Sequence, residues 1–195
     1  MALRLRAPAE RDEAVVLDCH KQLALEGFAF ALFYEQGMAW RAYLELLERY
    51  RHGEILPERL VPSTFLLAEA EGTVVGRSSI RHALNERLIV EGGHIGFCVC
   101  PAHRRRGYAT EILRQSLMVV WRLGHERALV TCDESNAGSA TVIERCGGVL
   151  EDVRRTPRGC RSAGIGSGRG TPSGSRQQPL DKAASDSWLY TWGVD

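Results

Sequence analysis

Hydrophobic and polar positions divide the chain into stretches of different period. Ala2 to Arg6 alternates and predicts a short strand. Pro8 and the acidic Glu10, Asp12 and Glu13 then suit a helix start, where negative charge meets the positive dipole end. Val16, Cys19 and Leu23 recur at helical spacing, and Gly27 closes that helix. Trp40, Tyr43, Leu44 and Leu47 share one face of a second helix, which ends at His52-Gly53. Between the helices, Phe28 to Tyr34 is aromatic and weakly periodic: a loop that lines a pocket, or core.

From Ser63 the period changes to that of strands. Thr64 to Ala70 and Val74 to His82 are apolar runs around the turn Glu71-Gly72-Thr73, a β-hairpin. Asn85 to Gly93 reads as a polar connection. His94 to Cys100 is a third run, stopped by Pro101. A long helix is expected from about Arg105 to Leu123, with Ala109, Ile112, Leu113, Leu117 and Val120 on one face and Gly124 as its cap. Arg127 to Cys132 (strand), Asn136 to Cys146 (helix) and Val149 to Val153 (strand) complete a β-α-α-β-β-β-α-β-α-β order. That order predicts an α/β fold with a mixed sheet over residues 1–155. Residues 156–195 carry seven of the twenty glycines and read as disorder or a Gly/Ser/Arg-rich tail. Only Ser187 to Trp192 has a pattern that could pack.

Composition narrows the function classes. A formal net charge of +1 gives no global attraction to nucleic acid or an anionic membrane. No stretch approaches the ~18 apolar residues of a membrane span, and the start lacks a signal-peptide pattern. The six cysteines, at 19, 98, 100, 132, 146 and 160, lack zinc-ligand spacing, so no metal site is expected. They read as reduced, buried thiols of a cytoplasmic protein.

The segment with chemistry is His94 to Ala109. A buried strand ends at Pro101; Arg104, Arg105, Arg106 and Gly107 follow; then an amphipathic helix begins. A helix start offers unpaired N–H groups and a positive dipole end, and Gly107 removes the Cβ that would keep an anion away. The site suits a diphosphate. It is neither a Walker loop nor a GxGxxG fingerprint.

Arg104-x-x-Gly107-x-Ala109 after a strand resembles the (Q/R)xxGx(G/A) motif of the GNAT superfamily of N-acetyltransferases. Thr131-Cys132-Asp133-Glu134-Ser135-Asn136 with Ile143-Glu144-Arg145-Cys146-Gly147-Gly148 is similar to the family's fifth strand and following helix. The resemblance covers residues 2 to 155, extends to an uncharacterised bacterial subgroup, and implies a mostly antiparallel sheet with splayed central strands. It implies acetyl-CoA as cosubstrate, held by the backbone of Phe97, Cys98 and Val99, by Arg104, Arg105, Arg106, Gly107, Tyr108, Ala109 and Thr110, and by Asn136. An amine of a small molecule or peptide would attack directly, and the protein could form a homodimer. His94 and Glu91 are candidates to take the amine's proton, with His82 and Glu69 as alternatives. The family's tyrosine acid corresponds to Ile143, leaving a water or another donor such as Ser139, with Tyr108 and Tyr34 behind it, to serve the departing thiolate. Loss of that acid keeps open a CoA-binding module without turnover. The tail is also compatible with a frameshift. Read from the third base of the first codon, the codons permitted for Arg158 to Ser167 allow Gly-Val-Pro-Ile-Arg-Arg-Tyr-Trp-Ile, similar to the subgroup's ending.

Overall fold

A computed structural model describes residues 2–54, 57, 60–156 and 185–193. Seven strands and five helices alternate in the order β1 (Leu3–Arg6), α1 (Glu13–Ala24), α2 (Trp40–His52), β2 (Ser63–Ala70), β3 (Thr73–Arg81), α3 (Glu86–Val90), β4 (Ile95–Val99), α4 (Tyr108–Arg122), β5 (Arg127–Asp133), α5 (Ala137–Arg145), β6 (Val149–Thr156) and β7 (Ser185–Gly193). Short 3₁₀ turns precede α1 and follow β4. The first sheet runs β1-β2-β3-β4 and the second β5-β7-β6, each with antiparallel neighbours.

Side-chain alternation assigns the two faces. Phe65 and Leu67 of β2 pack with Val16, Cys19 and Leu23 of α1 and Trp40, Tyr43 and Leu47 of α2. On the opposite face Ile80, Ile95, Ala128, Val130 and Cys132 meet Leu113, Leu117 and Val120 of α4 and Ile143 of α5. Ile112, Leu113 and Val120 are fully enclosed, a stripe in which each side chain contributes about 1.5–3 kcal/mol. These are the helical faces read from the sequence, so the pattern alone orients α2 and α4.

Four expectations need correction. The connection from Asn85 to Gly93 contains α3, started by Asn85, whose Oδ1 accepts from the Leu88 N–H at 3.0 Å. Its five residues are too few to show a period. The helix expected from Arg105 begins at Tyr108, because Arg105 and Gly107 lie in the left-handed region at φ 64° and 80°. The tail read from 156 does not hold at its end: Ser185–Gly193 forms β7, in the middle of the second sheet. Tyr190 and Trp192 enter the core while Leu189 and Ser187 are buried on the other face, a strand alternation in register with β5 and β6. Residues 185–193 therefore fit the fold, while Arg158 to Ser167, the segment compatible with a frameshift, lie outside the described residues. Finally, Cys19 and Cys100 form a disulfide that ties α1 to the residue after β4, so two of the six thiols are not free. Cys160 lies outside the described residues.

Candidate functional site

β4 and β5 are the facing edges of the two sheets, and no ladder joins them among the described residues. In an antiparallel pair, successive residues turn their peptide groups alternately toward and away from the partner. The His94 carbonyl accepts from Arg81 N–H at 2.8 Å and the Cys100 N–H donates to the Val75 carbonyl at 2.9 Å. The even-numbered residues of β4 thus face β3, Cys98 among them. The peptide groups of Ile95, Phe97 and Val99 are left facing β5.

At one end the two edges are fastened. The His94 N–H donates to the Leu129 carbonyl at 2.7 Å, and the Leu129 N–H donates to His94 Nδ1 at 3.0 Å. Gly93, at φ +58°, lies against this joint, where a Cβ would come within 2.3 Å of the Leu129 carbonyl oxygen. Gly92 N–H donates to Thr131 Oγ1 at 2.8 Å, holding the segment before β4 along β5. A strand pair pinned at one end and unpaired beyond it leaves a wedge whose walls carry unused backbone donors and acceptors.

β4 leads through Pro101–His103 to the turn at Arg105 and Gly107, and so to the start of α4. Among the described residues no side chain caps that helix, so its first N–H groups are placed to meet a ligand. Gly107 has no heavy atom within 4 Å of where a Cβ would stand. Arg105, Arg106 and Gly107 are exposed, and Tyr108, Ala109 and Thr110 are half-buried. The Arg104 guanidinium is turned back to Glu26, which it meets with both terminal nitrogens, at 3.0 and 2.6 Å. Arg104 therefore fastens the loop to the segment after α1. At the far wall, Asn136 starts α5, its Oδ1 accepting from Ser139 N–H at 3.0 Å, so its amide NH₂ keeps its donors.

The proton-handling candidates separate. His94 is 6% exposed, and burial, aided by His125 and Arg81, pulls its pKa down to about 4. Since Nδ1 accepts, the ring proton of the neutral form sits on Nε2. His94 is thus a joint and a donor, with no free basic nitrogen. Its ring also borders a cavity of about 430 Å³ between Ile89, Leu129, Leu189 and Thr191, away from the Gly107 loop. Glu91 is half-buried on the segment held along β5. Burial raises its carboxyl above the ordinary range; Arg87 opposes that and Asp133 adds to it. Glu69 is bound by Arg4 and Arg6, at 2.6 Å to each, and its pKa is lowered by those bonds, which removes it as a base. His82 Nε2 is 2.7 Å from Thr64 Oγ1. Ile143 is fully buried and Ser139 half-buried on the first turn of α5.

Sequence reasoning passed over two residues. Arg77 and Arg81 of β3 are not among the expected site residues, yet they lie on the face covered by α1 and α2 beside Gly96. Nothing in a single sequence marks a strand arginine as enclosed.

No curated protein matches the chain. The family model described as an acetyltransferase (GNAT) domain matches residues 2–149. Among solved structures, the microcin C7 self-immunity acetyltransferase MccE in complex with acetyl-CoA and AMP is similar at TM-score 0.61 and 16% identity, over 98% of this chain and 92% of that one. An acetyltransferase of the GNAT family from Streptococcus pneumoniae has TM-score 0.60 and 15% identity, over 99% and 100%. Spermidine N-acetyltransferase from Vibrio cholerae, in complex with CoA and spermine, has TM-score 0.60 and 14% identity, over 98% and 95%. At such identities the structures speak for the fold, and the family model speaks for the sequence: this chain belongs to the GNAT acetyltransferase family.

Proposed function

We propose that the protein transfers an acetyl group from acetyl-CoA to a primary amine of a small molecule or peptide. The observation that carries this reading is the wedge between β4 and β5, open along Phe97 and Val99 and leading to the uncapped start of α4 behind Gly107. The pantetheine arm would pair with those peptide groups, and the diphosphate would take the N–H groups of residues 105–110, with Asn136 reaching the arm from the other wall. Arg105 and Arg106 would add positive charge. Arg104 would act through the loop, its guanidinium being held by Glu26.

An aliphatic amine is mostly protonated at neutral pH and must lose a proton before it attacks. Glu91 is the group suited to take it, directly or through one water, since its raised pKa makes it a better base than an exposed carboxylate. The amine nitrogen then bonds to the thioester carbonyl carbon. A β4 N–H facing the wedge stabilises the oxyanion, the carbon–sulfur bond breaks, and the thiolate leaves with a proton from Ser139 or water. Glu91→Gln should lower kcat by ~10²–10⁴-fold with CoA affinity unchanged.

The test begins with binding. Titration calorimetry should give saturable CoA binding to the wild type and none to Gly107→Asp, which puts a carboxylate and a Cβ against the diphosphate. Normal binding by that variant removes this site. Thiol release from acetyl-CoA over an amine panel then tests transfer. Buried Ile143 at the acid position favours one second reading, a CoA-binding module without turnover. CoA binding without thiol release for any amine would select it.

A further inference from the structure

Arg77 is 3% exposed. Its Nη1 donates to the Gly96 carbonyl at 3.0 Å and its Nη2 to the Ala29 carbonyl at 3.1 Å. Phe28 and Phe65 flank the guanidinium at 5.1 and 6.0 Å. Nε has no hydrogen-bond partner. Four residues along the same face of β3, Arg81 donates from Nη1 to the carbonyls of Gly92 and Gly93, at 2.8 and 3.1 Å. Among the described residues, no carboxylate forms an ion pair with either arginine.

The two guanidinium groups converge. Around the point where a side chain on Gly96 would begin, Arg81 Nη2 lies at 3.5 Å and Arg77 Nη1 at 3.6 Å. Carbonyl oxygens satisfy some of their donors but leave the charge unneutralised, and each guanidinium has five N–H groups to place. Two like charges over one residue, Arg77 buried and Arg81 half-buried, repel each other. Burial, with Arg77 and Arg87 nearby, pulls Arg81 down to about 10. An arrangement that lacks only its counter-ion is the usual sign of an anion taken from outside.

Its position identifies which anion. Gly96 is the residue before Phe97 on β4, one strand step of about 3.3 Å from a peptide group that faces the wedge. The notch lies on the sheet face opposite α4, where Cys98 packs with the α1 and α2 cluster. An acceptor anchored there would hold its amine at the thioester if anion and amine were a few bonds apart.

We propose that Arg77 and Arg81 bind the carboxylate of the acceptor, so that the substrate class is small α- or β-amino carboxylic acids. This rests on the transfer reading above and deepens it. The residues from Leu25 to Ala39, which include the Ala29 carbonyl and Phe28, cover Arg77 in the free protein and must shift to admit the acceptor. A polyamine, bringing more positive charge to two uncompensated guanidinium groups, would be a poor acceptor.

The test compares alanine, alanine amide, ethylamine and spermidine as acceptors, by thiol release at saturating acetyl-CoA. The amino acid should exceed the others in kcat/KM by about 30-fold or more, the scale of a buried charge contact. Arg81→Met should remove most of that preference through KM, and Arg77→Lys should retain part of it, while calorimetry shows CoA affinity within about twofold of wild type. Equal use of the amide and the acid, or a preference that survives in both variants, overturns the proposal. If CoA binds and no amine is acetylated, transfer itself fails, and binding decides the notch. The CoA-loaded protein should then take N-acetylalanine at least about tenfold more tightly than N-acetylalanine amide. Equal affinity, or no binding of either, overturns it.

Discussion

The two sheets are built on opposite plans. β2, β3 and β4 follow one another locally, β2 and β3 as a hairpin, and β1 joins β2 from the start of the chain, its Arg4 and Arg6 fastened to Glu69 and Asp12. In the second sheet, β5 and β6 share no ladder among the described residues; each pairs with β7, which comes from far along the chain. Ion pairs trim both sheets, Arg4 and Arg6 with Glu69 and Asp12 in the first and Arg127 with Glu151 in the second. The second is closed by aromatic side chains, with Tyr190 OH donating to Glu144 at 3.2 Å and Trp192 Nε1 to the Cys146 carbonyl at 2.9 Å. One wall of the wedge is therefore anchored by neighbouring sequence. The other depends on residues some sixty positions away, Arg127 being paired with Gly193.

The hardest blow to this contrast is Tyr190→Ala. Emptying a fully buried aromatic site should cost about 3–5 kcal/mol. Hydrogen exchange should then report loss of protection in β5 and β6 well before β2 and β3; a uniform loss across both sheets would show that they do not differ as described. Gly93→Ala strikes the joint between the sheets. The added Cβ meets the Leu129 carbonyl at a backbone angle that side chains avoid, and about 3 kcal/mol in chemical denaturation is expected, with weaker CoA binding. A change under about 0.5 kcal/mol would mean that the joint is not tight.

Acid should loosen the same joint. Unfolded, His94 takes up a proton near its ordinary pKa of about 6.5; folded, it resists until about 4. The unfolded state thus binds more protons through that window, and stability falls as pH drops from about 6.5 to 4, by up to ~3 kcal/mol from this group. His20 and His82, also lowered by burial, act in the same direction. His94→Asn, which keeps an acceptor for Leu129 N–H, should flatten the fall; parallel curves for variant and wild type would discard the assignment. The smallest effect is that of Asn136→Ala. Loss of the α5 cap should lower stability by about 1 kcal/mol, and one lost hydrogen bond to the arm should weaken CoA binding about fivefold.

How far the sequence could be read follows the same division. The β2–β3 hairpin, the α2 stripe of Trp40, Tyr43 and Leu47 and the loop at Gly107 are local patterns, and each is where periodicity or spacing puts it. β7 has the alternation of a strand, but its place between β5 and β6 is a long-range pairing that no local pattern encodes. The Cys19–Cys100 disulfide, the Arg104–Glu26 pair and the convergence of Arg77 and Arg81 on Gly96 likewise depend on residues brought together from distant positions. Glu91 was nameable from its nearness to β4. That His94 Nδ1 is taken up by the Leu129 N–H is a long-range contact no local pattern shows.

The central placement of β7 also sets an order in time. A chain leaves the ribosome N-terminus first, at ~5–20 residues per second, and folds as its partners emerge. β1 to β4 can assemble once β4 is out, whereas β5 and β6 must wait, edges unpaired, for the last nine-residue strand. During synthesis the first half is settled while the wall that completes the wedge is still without a partner, and a premature stop anywhere before Ser185 leaves those edges open to another chain.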